Sequence, residues 1–342
     1  MTRRHRLFSL FFLLSAFASY QKYDLIIPSH FPAFHYNLKK NPINEETVQL
    51  GRLLFYDPML SADSSISCAS CHSLYNAFAH TDHKLSHGIG DRVGNRNAPA
   101  LFNLGWQSLF MWDGAHRHLD MQALAPISHP KEMGFSIAGV AQRLQGNPQY
   151  RSQFYRAYGD SVVTGEKVLK ALAQFQLTLI SAGSKYDKVQ EGLSNFTAQE
   201  AKGYKLFLKH CNSCHTEPLF SNYRLASNGL LPDPVLQDSG RMGISKKEED
   251  RYRFKTPSLR NLSYTFPYMH DGRFQTLSAV MNHYSNGISE AAKPDHPIRG
   301  PLRLSGAEKV ELISFLRTLN DSAFVFNKAH AYPMELRTYW KK

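Results

Sequence analysis

The chain has 342 residues, of which 42 % are hydrophobic and 20 % are charged, and this is enough apolar sequence for two domains with buried cores. The composition excludes disordered and fibrous proteins. The net charge of +12 is spread along the chain and forms no lysine- and arginine-rich stripe, so we expect no nucleic-acid partner; steering an acidic protein partner is the more natural use. No apolar run reaches the roughly 20 residues of a membrane-spanning helix, so we predict no membrane span.

The first predicted element is a secretory signal peptide at residues 1–18. A start with three arginines precedes an apolar run from Leu7 to Phe17, which ends in a small-x-small cleavage pattern at 16–18. We expect the exported chain to begin near Ser19 and to meet an oxidising compartment.

Helix signals are frequent along the chain, and strand signals are scarce. Asn44, followed by two glutamates, starts one predicted helix, and apolar spacing over 168–179 indicates another. Thr197 and Ser305 each precede a glutamate by three residues, which is the capping-box pattern of a helix start. The sequence therefore predicts a mostly α-helical protein.

The four cysteines fall in two copies of the pattern C-x-x-C-H, and none is left over. The motif residues are Cys68, Cys71, His72, Cys211, Cys214 and His215. This pattern is typical of c-type haem attachment, because two thiols three positions apart reach the two vinyl groups of one porphyrin and the adjacent imidazole reaches the iron. A redox dithiol would not explain both histidines, and a zinc site would need the two pairs to meet across the intervening chain. The sequence predicts two covalent haems.

An internal repeat relates the two halves of the chain. Pro99-Ala-Leu-Phe-Asn-Leu and Met111-Trp-Asp-Gly recur 158 residues later as Pro257-Ser-Leu-Arg-Asn-Leu and Met269-His-Asp-Gly. The C-x-x-C-H motifs are only 143 residues apart, so the second half has 15 extra residues, which we place in a loop within 222–251. Each half is predicted to hold one haem.

The residue on the far side of each iron separates electron carriers from catalysts, because a second strong ligand closes the iron. In the second half, Met281, His283 and Tyr284 offer three candidate ligands within one helical turn. The position equivalent to Tyr284 in the first half is Pro126, which cannot bind a metal. We predict an open first haem and a closed second haem.

Two polar residues, Gln122 and Glu132, border the predicted open face beside Pro126. In isolation, they could simply belong to a solvated loop. Peroxide cleavage, however, needs an acid–base group beside an open iron, and a carboxylate placed with an amide can provide one.

Short motifs between residues 45 and 320 carry a resemblance to a known family. They are Gly51-Arg-Leu-Leu-Phe-Tyr-Asp57-Pro-x-Leu-Ser61, Cys68-Ala-Ser-Cys-His72, Arg96-Asn-Ala-Pro99, Trp112-Asp-Gly114, Gln122-Ala-x-x-Pro126, Glu132-Met133, Asp238-Ser-Gly-Arg241, Phe254-Lys-Thr-Pro257-x-Leu-Arg-Asn261 and Pro267-Tyr-Met-His-Asp-Gly272. Together they resemble the bacterial di-haem cytochrome c peroxidases and their MauG-type relatives. The resemblance implies a periplasmic protein in which one haem meets peroxide and the other supplies or shares electrons.

This resemblance completes the predicted domain organisation. We expect two cytochrome c-like haem domains related by the internal repeat. The amino-terminal domain, with the peroxidatic haem, would span residues 19–192, and the carboxyl-terminal domain, with the electron-transfer haem and a tail, would span 193–342.

The family motifs also imply individual roles. His72 and His215 would be the proximal ligands of the two irons. Glu132 and Gln122 would form the acid–base pair of the peroxidatic haem, and Trp112 would bridge the two haems.

The resemblance further implies a calcium ion between the domains. Asn97 and the backbone carbonyls of Thr265 and Pro267 would bind it, which are oxygen ligands of the kind that calcium prefers. His270 would belong to the pocket of the second haem, with a hydrogen bond to Tyr284 or to a propionate.

Two positions depart from the usual peroxidase pattern. Family members that need reductive activation have a histidine where Ile89 stands, and Ile89 cannot bind iron; His87 could substitute only if its loop shifted. Family peroxidases have methionine where Tyr284 stands, whereas a tyrosine there resembles MauG. Tyrosinate is a hard donor that stabilises ferric iron.

These features favour a periplasmic peroxidase that reduces hydrogen peroxide to water with electrons from a small cytochrome c or a cupredoxin. A MauG-like oxidase that uses peroxide to oxidise residues of a protein substrate is the close alternative. A non-catalytic di-haem electron carrier is the third reading, and the open face of the first haem argues against it.

Overall fold

Helices account for nearly all the regular structure in the computed structural model, which describes residues 22–292, 295 and 300–339. The α-helices are α1 Glu45–Tyr56, α2 Cys68–Cys71, α3 Leu119–Gln122, α4 Leu124–Ser128, α5 Ile137–Gly146, α6 Pro148–Tyr158, α7 Gly165–Leu177, α8 Lys185–Gln190, α9 Ala198–His210, α10 Met242–Ser245, α11 Leu277–Asn282, α12 Gly306–Arg317 and α13 Ser322–Val325. The predicted signal peptide at 1–18 lies outside the described residues.

The remaining elements are short. Strands β1 Leu225–Ala226 and β2 Phe254–Lys255 pair antiparallel, with Leu225 opposite Lys255. Turns of 3₁₀ helix lie at Pro58–Leu60, Leu74–Asn76, Ile89–Asp91, Leu104–Trp106, Glu248–Asp250, Glu290–Ala292, Lys328–His330 and Met334–Thr338, and a π-helical segment spans His283–Gly287. The mostly α-helical prediction is confirmed.

The predicted helix starts are real caps. The Asn44 side chain accepts a hydrogen bond from the Thr47 backbone N–H at 2.9 Å, which satisfies one free donor of α1. Thr197 and Ser305 each form a complete capping box with the glutamate three residues later, at the starts of α9 and α12.

The same helix pair occurs in each half of the chain. Helix α1 packs on α7, and α9 packs on α12. Each crossing has a glycine where the backbones meet: a Cβ atom on Gly51 would lie 1.9 Å from the Ala171 carbonyl oxygen, and one on Gly203 would lie 1.9 Å from that of Glu311. Because a methyl group cannot fit there, only glycine permits this approach.

The internal repeat extends to the backbone of the loops. Asn103 and Asn261 both have left-handed φ angles, 54° and 64°. The Asn103 N–H donates to the Leu179 carbonyl at 2.8 Å, and the Asn261 N–H donates to the Leu319 carbonyl at 3.1 Å. These matched hydrogen bonds fix the loop of each half to the end of its own long helix, α7 or α12.

Two apolar clusters form the main cores. The first contains buried residues from Leu50 to Leu179, and the second contains buried residues from Tyr186 to Leu319. Phe324 and Val325 of α13 return to the first cluster, so the carboxyl-terminal segment packs on the amino-terminal half. The change of cluster falls between Leu179 and Tyr186, before the predicted boundary between residues 192 and 193, and that boundary stays a prediction.

The segment 222–251, in which we place the 15 extra residues of the second half, is mainly irregular and contains only β1, α10 and one 3₁₀ turn. Within the described residues, none of the helices is both long and apolar enough to cross a membrane.

Candidate haem sites

The first C-x-x-C-H motif forms one turn of helix, α2, and His72 caps its end. Nδ1 of His72 lies 2.8 Å from the Phe78 carbonyl oxygen, so it donates there and leaves Nε2 as the free lone pair. Burial lowers the pKa of His72 to about 4, which keeps the imidazole in the neutral form that binds metals. Cys68 and Cys71 form no disulfide and remain available for thioether bonds.

The second motif follows the end of α9, and its histidine ring is oriented by backbone carbonyls in the same way. Nδ1 of His215 lies 3.2 Å from the Phe220 carbonyl oxygen and 3.1 Å from that of Pro257. Cys211, Cys214 and His215 line one cavity, and neither cysteine is in a disulfide. Free thiols and an oriented imidazole on a cavity wall fit a covalent c-type haem.

The two acid–base candidates, Gln122 and Glu132, lie on one folded segment that begins at the end of α3. The Met133 N–H donates to the Pro126 carbonyl at 3.1 Å, which brings the Glu132 loop back onto α4. Gln122 ends α3, and its amide lies 3.5 Å from Met111 Sδ. These contacts fold the segment from Gln122 to Glu132 back on itself, and the predicted placement of Gln122, Pro126 and Glu132 around one open haem face stays a prediction.

The Glu132 side chain is partly exposed and has a histidine neighbour. Its side chain is 41 % exposed, and the ring of His129 approaches it at 3.6 Å. Burial raises the pKa of Glu132 above that of an ordinary glutamate. Burial also raises the pKa of Cys68, to about 12. The Glu132 carbonyl accepts from the Ile89 N–H at 2.8 Å, and Cys71 Sγ lies 3.9 Å from the His87 carbonyl oxygen, so the Glu132 backbone packs on the loop that runs beside the thiols.

Ile89 and His87, in the loop before Arg96, both contact other residues of the protein. The Ile89 N–H donates to the Glu132 carbonyl at 2.8 Å, and a Cβ atom on Gly134 would lie 2.3 Å from Ile89 Cδ1, so Ile89 packs against this segment. Nδ1 of His87 is 2.6 Å from Asp91, and its ring stacks on another histidine ring, with 4.7 Å between centroids.

Two of the three candidate ligands of the second iron line its cavity. Tyr284 and Met281 face the cavity that contains His215. His283 does not line it; Nε2 of His283 lies 3.1 Å from the Asn228 carbonyl oxygen. Tyr284 belongs to the π-helical segment, a local widening of a helix that is common at functional sites.

The polar neighbours of Tyr284 are few. Its hydroxyl lies 3.5 Å from Asn228 Nδ2, and burial raises its pKa to about 12, so the phenol stays neutral at pH 7 unless a cation displaces its proton. His270 lines the same cavity, but its ring stacks on Phe254 at 3.8 Å, and the described contact of the Tyr284 hydroxyl is Asn228.

Trp112 lies where the two halves of the chain meet. Its Nε1–H donates to the Asn97 carbonyl at 2.8 Å, and its own carbonyl accepts from the Lys255 N–H at 2.6 Å. The indole also lines the cavity of the second site. The role of Trp112 as a bridge between two haems stays a prediction.

The residues predicted to bind calcium also line that cavity. Asn97, Thr265 and Pro267 all line it, and the Asn97 N–H donates to the His270 carbonyl at 2.7 Å. Over the described ranges, no N–H or hydroxyl donates to Asn97 Oδ1 or to the Thr265 and Pro267 carbonyls. These oxygens fit a hard cation. The described part of the chain has no cluster of three or more His, Cys, Asp or Glu side chains able to hold a metal ion.

Three polar residues near these sites have no predicted role. Lys255 is buried beside Trp112, and Asn228 contacts Tyr284. Arg96 binds Asp113 and Asp238, each at 2.6 Å, and so ties the extra loop to the Trp-Asp-Gly motif. The contacts of all three residues join parts of the chain that are far apart in sequence, so local patterns do not predict them. Only the family motifs that contain Arg96 and Lys255 indicated that these two positions matter.

Comparison with known proteins agrees with this geometry. A family model for di-haem cytochrome c peroxidases matches residues 45–195. The chain is 36 % identical to the methylamine utilization protein MauG of Methylorubrum extorquens, over 82 % of this chain and 80 % of the relative. It is 38 % identical to a cytochrome c551 peroxidase of Nitrosomonas europaea, over 70 % of this chain and 73 % of the relative.

A solved structure shows the same fold. The crystal structure of a MauG-like protein associated with microbial copper homeostasis superposes with a TM-score of 0.82 at 28 % identity, covering 91 % of this chain and 99 % of that one. Membership of this family implies two c-type haems, which fit the two attachment sites. The chain belongs to the di-haem cytochrome c peroxidase and MauG family.

Proposed function

We propose that the protein is an exported, periplasmic di-haem peroxidase that reduces hydrogen peroxide to water. The observation that carries this proposal is the difference between two otherwise equivalent sites. At the second site, Tyr284 and His215 line the same cavity. Its repeat equivalent at the first site is Pro126, and a backbone hydrogen bond joins that proline to the segment of Glu132. One site thus has a candidate iron ligand, and the other has a candidate acid–base group.

When bound at Cys68 and Cys71, the first haem would supply an iron with one open face and a route for electrons. Glu132 would accept a proton from the oxygen of peroxide nearer the iron and deliver it to the farther oxygen, which leaves as water. Gln122 would hold peroxide in place through its amide. The overall reaction consumes one peroxide, two protons and two electrons and yields two waters.

The two electrons would enter through the second haem from a small redox protein, a cytochrome c or a cupredoxin. Trp112 would mediate transfer between the haems, in keeping with its contacts to both halves of the chain. Removing the predicted signal peptide takes away three arginines and lowers the net charge from +12 to +9, which still favours an acidic donor because opposite charges accelerate association. Raising the ionic strength should then slow the reaction with the donor more than the reaction with peroxide.

The calcium ion belongs to the same proposal. Asn97 Oδ1 and the carbonyls of Thr265 and Pro267 would bind it at the junction of the two halves. Its role would be to hold the backbone around Trp112, since the indole donates to the Asn97 carbonyl.

A MauG-like oxidase that removes electrons from a protein substrate is the second candidate. The observation that favours it is Tyr284, because an anionic phenolate ligand stabilises oxidised iron. The oxidase would share the peroxide step at the first site with the peroxidase, but its electrons would come from a protein substrate instead of a small redox protein.

The test uses the purified ferric protein with both haems attached. Electron paramagnetic resonance at neutral pH should show a high-spin signal without prior reduction. Anaerobic peroxide should then react, and reduced small cytochrome c should be oxidised at two molecules per peroxide. Two low-spin haems without a peroxide reaction would contradict both candidates, with His87 the first residue to test. A rapid peroxide reaction without cytochrome turnover would favour the oxidase.

A further inference from the structure

A buried lysine lies beside the second haem site, and the peroxide chemistry does not use it. Lys255 is 8 % exposed and lines the cavity that contains His215 and Tyr284. Its Nζ donates to Gln107 Oε1 at 3.1 Å. A buried ammonium group is costly unless an anion accompanies it.

No carboxylate in the described part of the chain forms an ion pair with Lys255. Asp295 lines the same cavity, but its two oxygens accept from the Arg253 guanidinium at 2.7 Å and from the Ser227 N–H at 2.8 Å. Burial alone lowers the pKa of Lys255, to about 8, with no opposing shift from a negative charge. The protein thus leaves a cation in this cavity without its counter-ion.

The internal repeat allows Lys255 to be compared with the equivalent residue of the first half. Position 255 is equivalent to position 97, and position 270 is equivalent to position 112. The hydrogen bonds across the junction are reciprocal: the Asn97 N–H donates to the His270 carbonyl at 2.7 Å, and the Lys255 N–H donates to the Trp112 carbonyl at 2.6 Å. Equivalent backbone positions therefore present an amide in one half and an ammonium group in the other.

We propose that Lys255, held by Gln107, binds a propionate carboxylate of the haem attached at Cys211 and Cys214 and raises the reduction potential of that haem. The propionates leave the porphyrin on the edge opposite the vinyl groups, so they extend away from the two cysteines. A carboxylate in this cavity would supply the missing anion, and the fixed positive charge would favour the reduced iron. This inference rests on haem attachment at the second motif and not on the peroxide reaction.

The test is a spectroelectrochemical titration of Lys255→Met, with haem attachment checked by mass. The expected result is a lower midpoint potential for the Cys211/Cys214 haem, with a smaller change at the other haem. Lys202→Met is the matched control: it removes a 69 % exposed charge from α9, where water and salt screen it. An unchanged potential relative to this control, or a shift only in the other haem, would overturn the proposal.

A second variant covers the case in which Lys255→Met does not fold. Gln107→Glu has nearly the same shape and places a carboxylate within 3.1 Å of Nζ, so Lys255 gains a partner from the protein. The potential of the Cys211/Cys214 haem should again fall, because the added carboxylate partly cancels the positive charge of Lys255. If this variant attaches both haems and the potential does not move, the proposal is wrong. Peroxide reactivity is measured separately, so failure here leaves the proposed function untouched.

Discussion

Replacing Glu132 by glutamine tests the proposed acid–base role without disturbing the surrounding backbone. The hydrogen bonds that shape this segment run between main-chain atoms: Ile89 donates to the Glu132 carbonyl, and Met133 donates to the Pro126 carbonyl. Glutamine keeps the length and volume of the side chain but cannot carry a proton. Both haems should stay attached.

The size of the effect follows from the exposure of the carboxyl group. General acid–base groups typically contribute about 10²- to 10⁴-fold. Because the Glu132 side chain is 41 % exposed, water can partly replace it, so we expect a loss near 10²-fold, or about 2.7 kcal/mol of activation free energy.

The assay is the second-order rate constant for peroxide with the ferric protein, measured by stopped-flow absorbance. Glu191→Gln is the matched control, since its side chain is 45 % exposed and it lies outside the first site. A Glu132→Gln variant that keeps more than half of the wild-type rate would refute the acid–base assignment.

The pH profile provides a second readout. Burial raises the pKa of Glu132, so the carboxylate needed to accept a proton should be lost at a higher pH than for an ordinary glutamate. The rate of the wild-type protein should fall as the pH drops through that raised pKa. The glutamine variant should show no such limb.

Further expectations concern the second site, the junction and the core. Tyr284→Phe should raise the potential of the Cys211/Cys214 haem and remove its low-spin signal; the same loss in Met281→Ala, with none in Tyr284→Phe, would assign the ligand to methionine. Asp187→Asn should cost about 3–5 kcal/mol of unfolding free energy in denaturant titrations, because it leaves the fully buried Arg260 unpaired. Arg260 holds the pKa of Asp187 at about 2, so the stability from this pair should persist above the pKa of an unfolded aspartate and vanish as the pH falls towards 2. Asn97→Ala should lower calcium affinity in isothermal titration, and an unchanged affinity would exclude this ligand.

Local chemistry made much of the fold predictable. The starts of α1, α9 and α12 follow from Asn44, Thr197 and Ser305, whose side chains cap the helix within three residues. The two haem attachment sites could also be predicted from the sequence, because C-x-x-C-H places every attachment atom within about one turn of the chain.

The features that the sequence did not reveal depend on contacts between distant parts of the chain. The π-helical segment at 283–287 turns His283 out of the cavity, and nothing in the helical spacing indicates that turn. The contact of Asn228 with Tyr284 spans 56 residues, and the bond from Lys255 to Gln107 spans 148. Such pairs depend on how two halves of the chain meet, which local patterns do not encode.

The division of labour between the haems arises from a few substitutions on a repeated backbone. Both halves keep the same glycine crossing, the same left-handed asparagine and the same oriented histidine. At the junction, Trp112 and His270 are equivalent, as are Asn97 and Lys255. We propose positive charge on both sides of this junction, a calcium ion at Asn97 and the lysine itself at position 255. Electrons would then pass between two haems whose reduction potentials are set by separate charges. Removing either the calcium ion or the Lys255 charge should therefore shift the reduction potential of one haem more than that of the other.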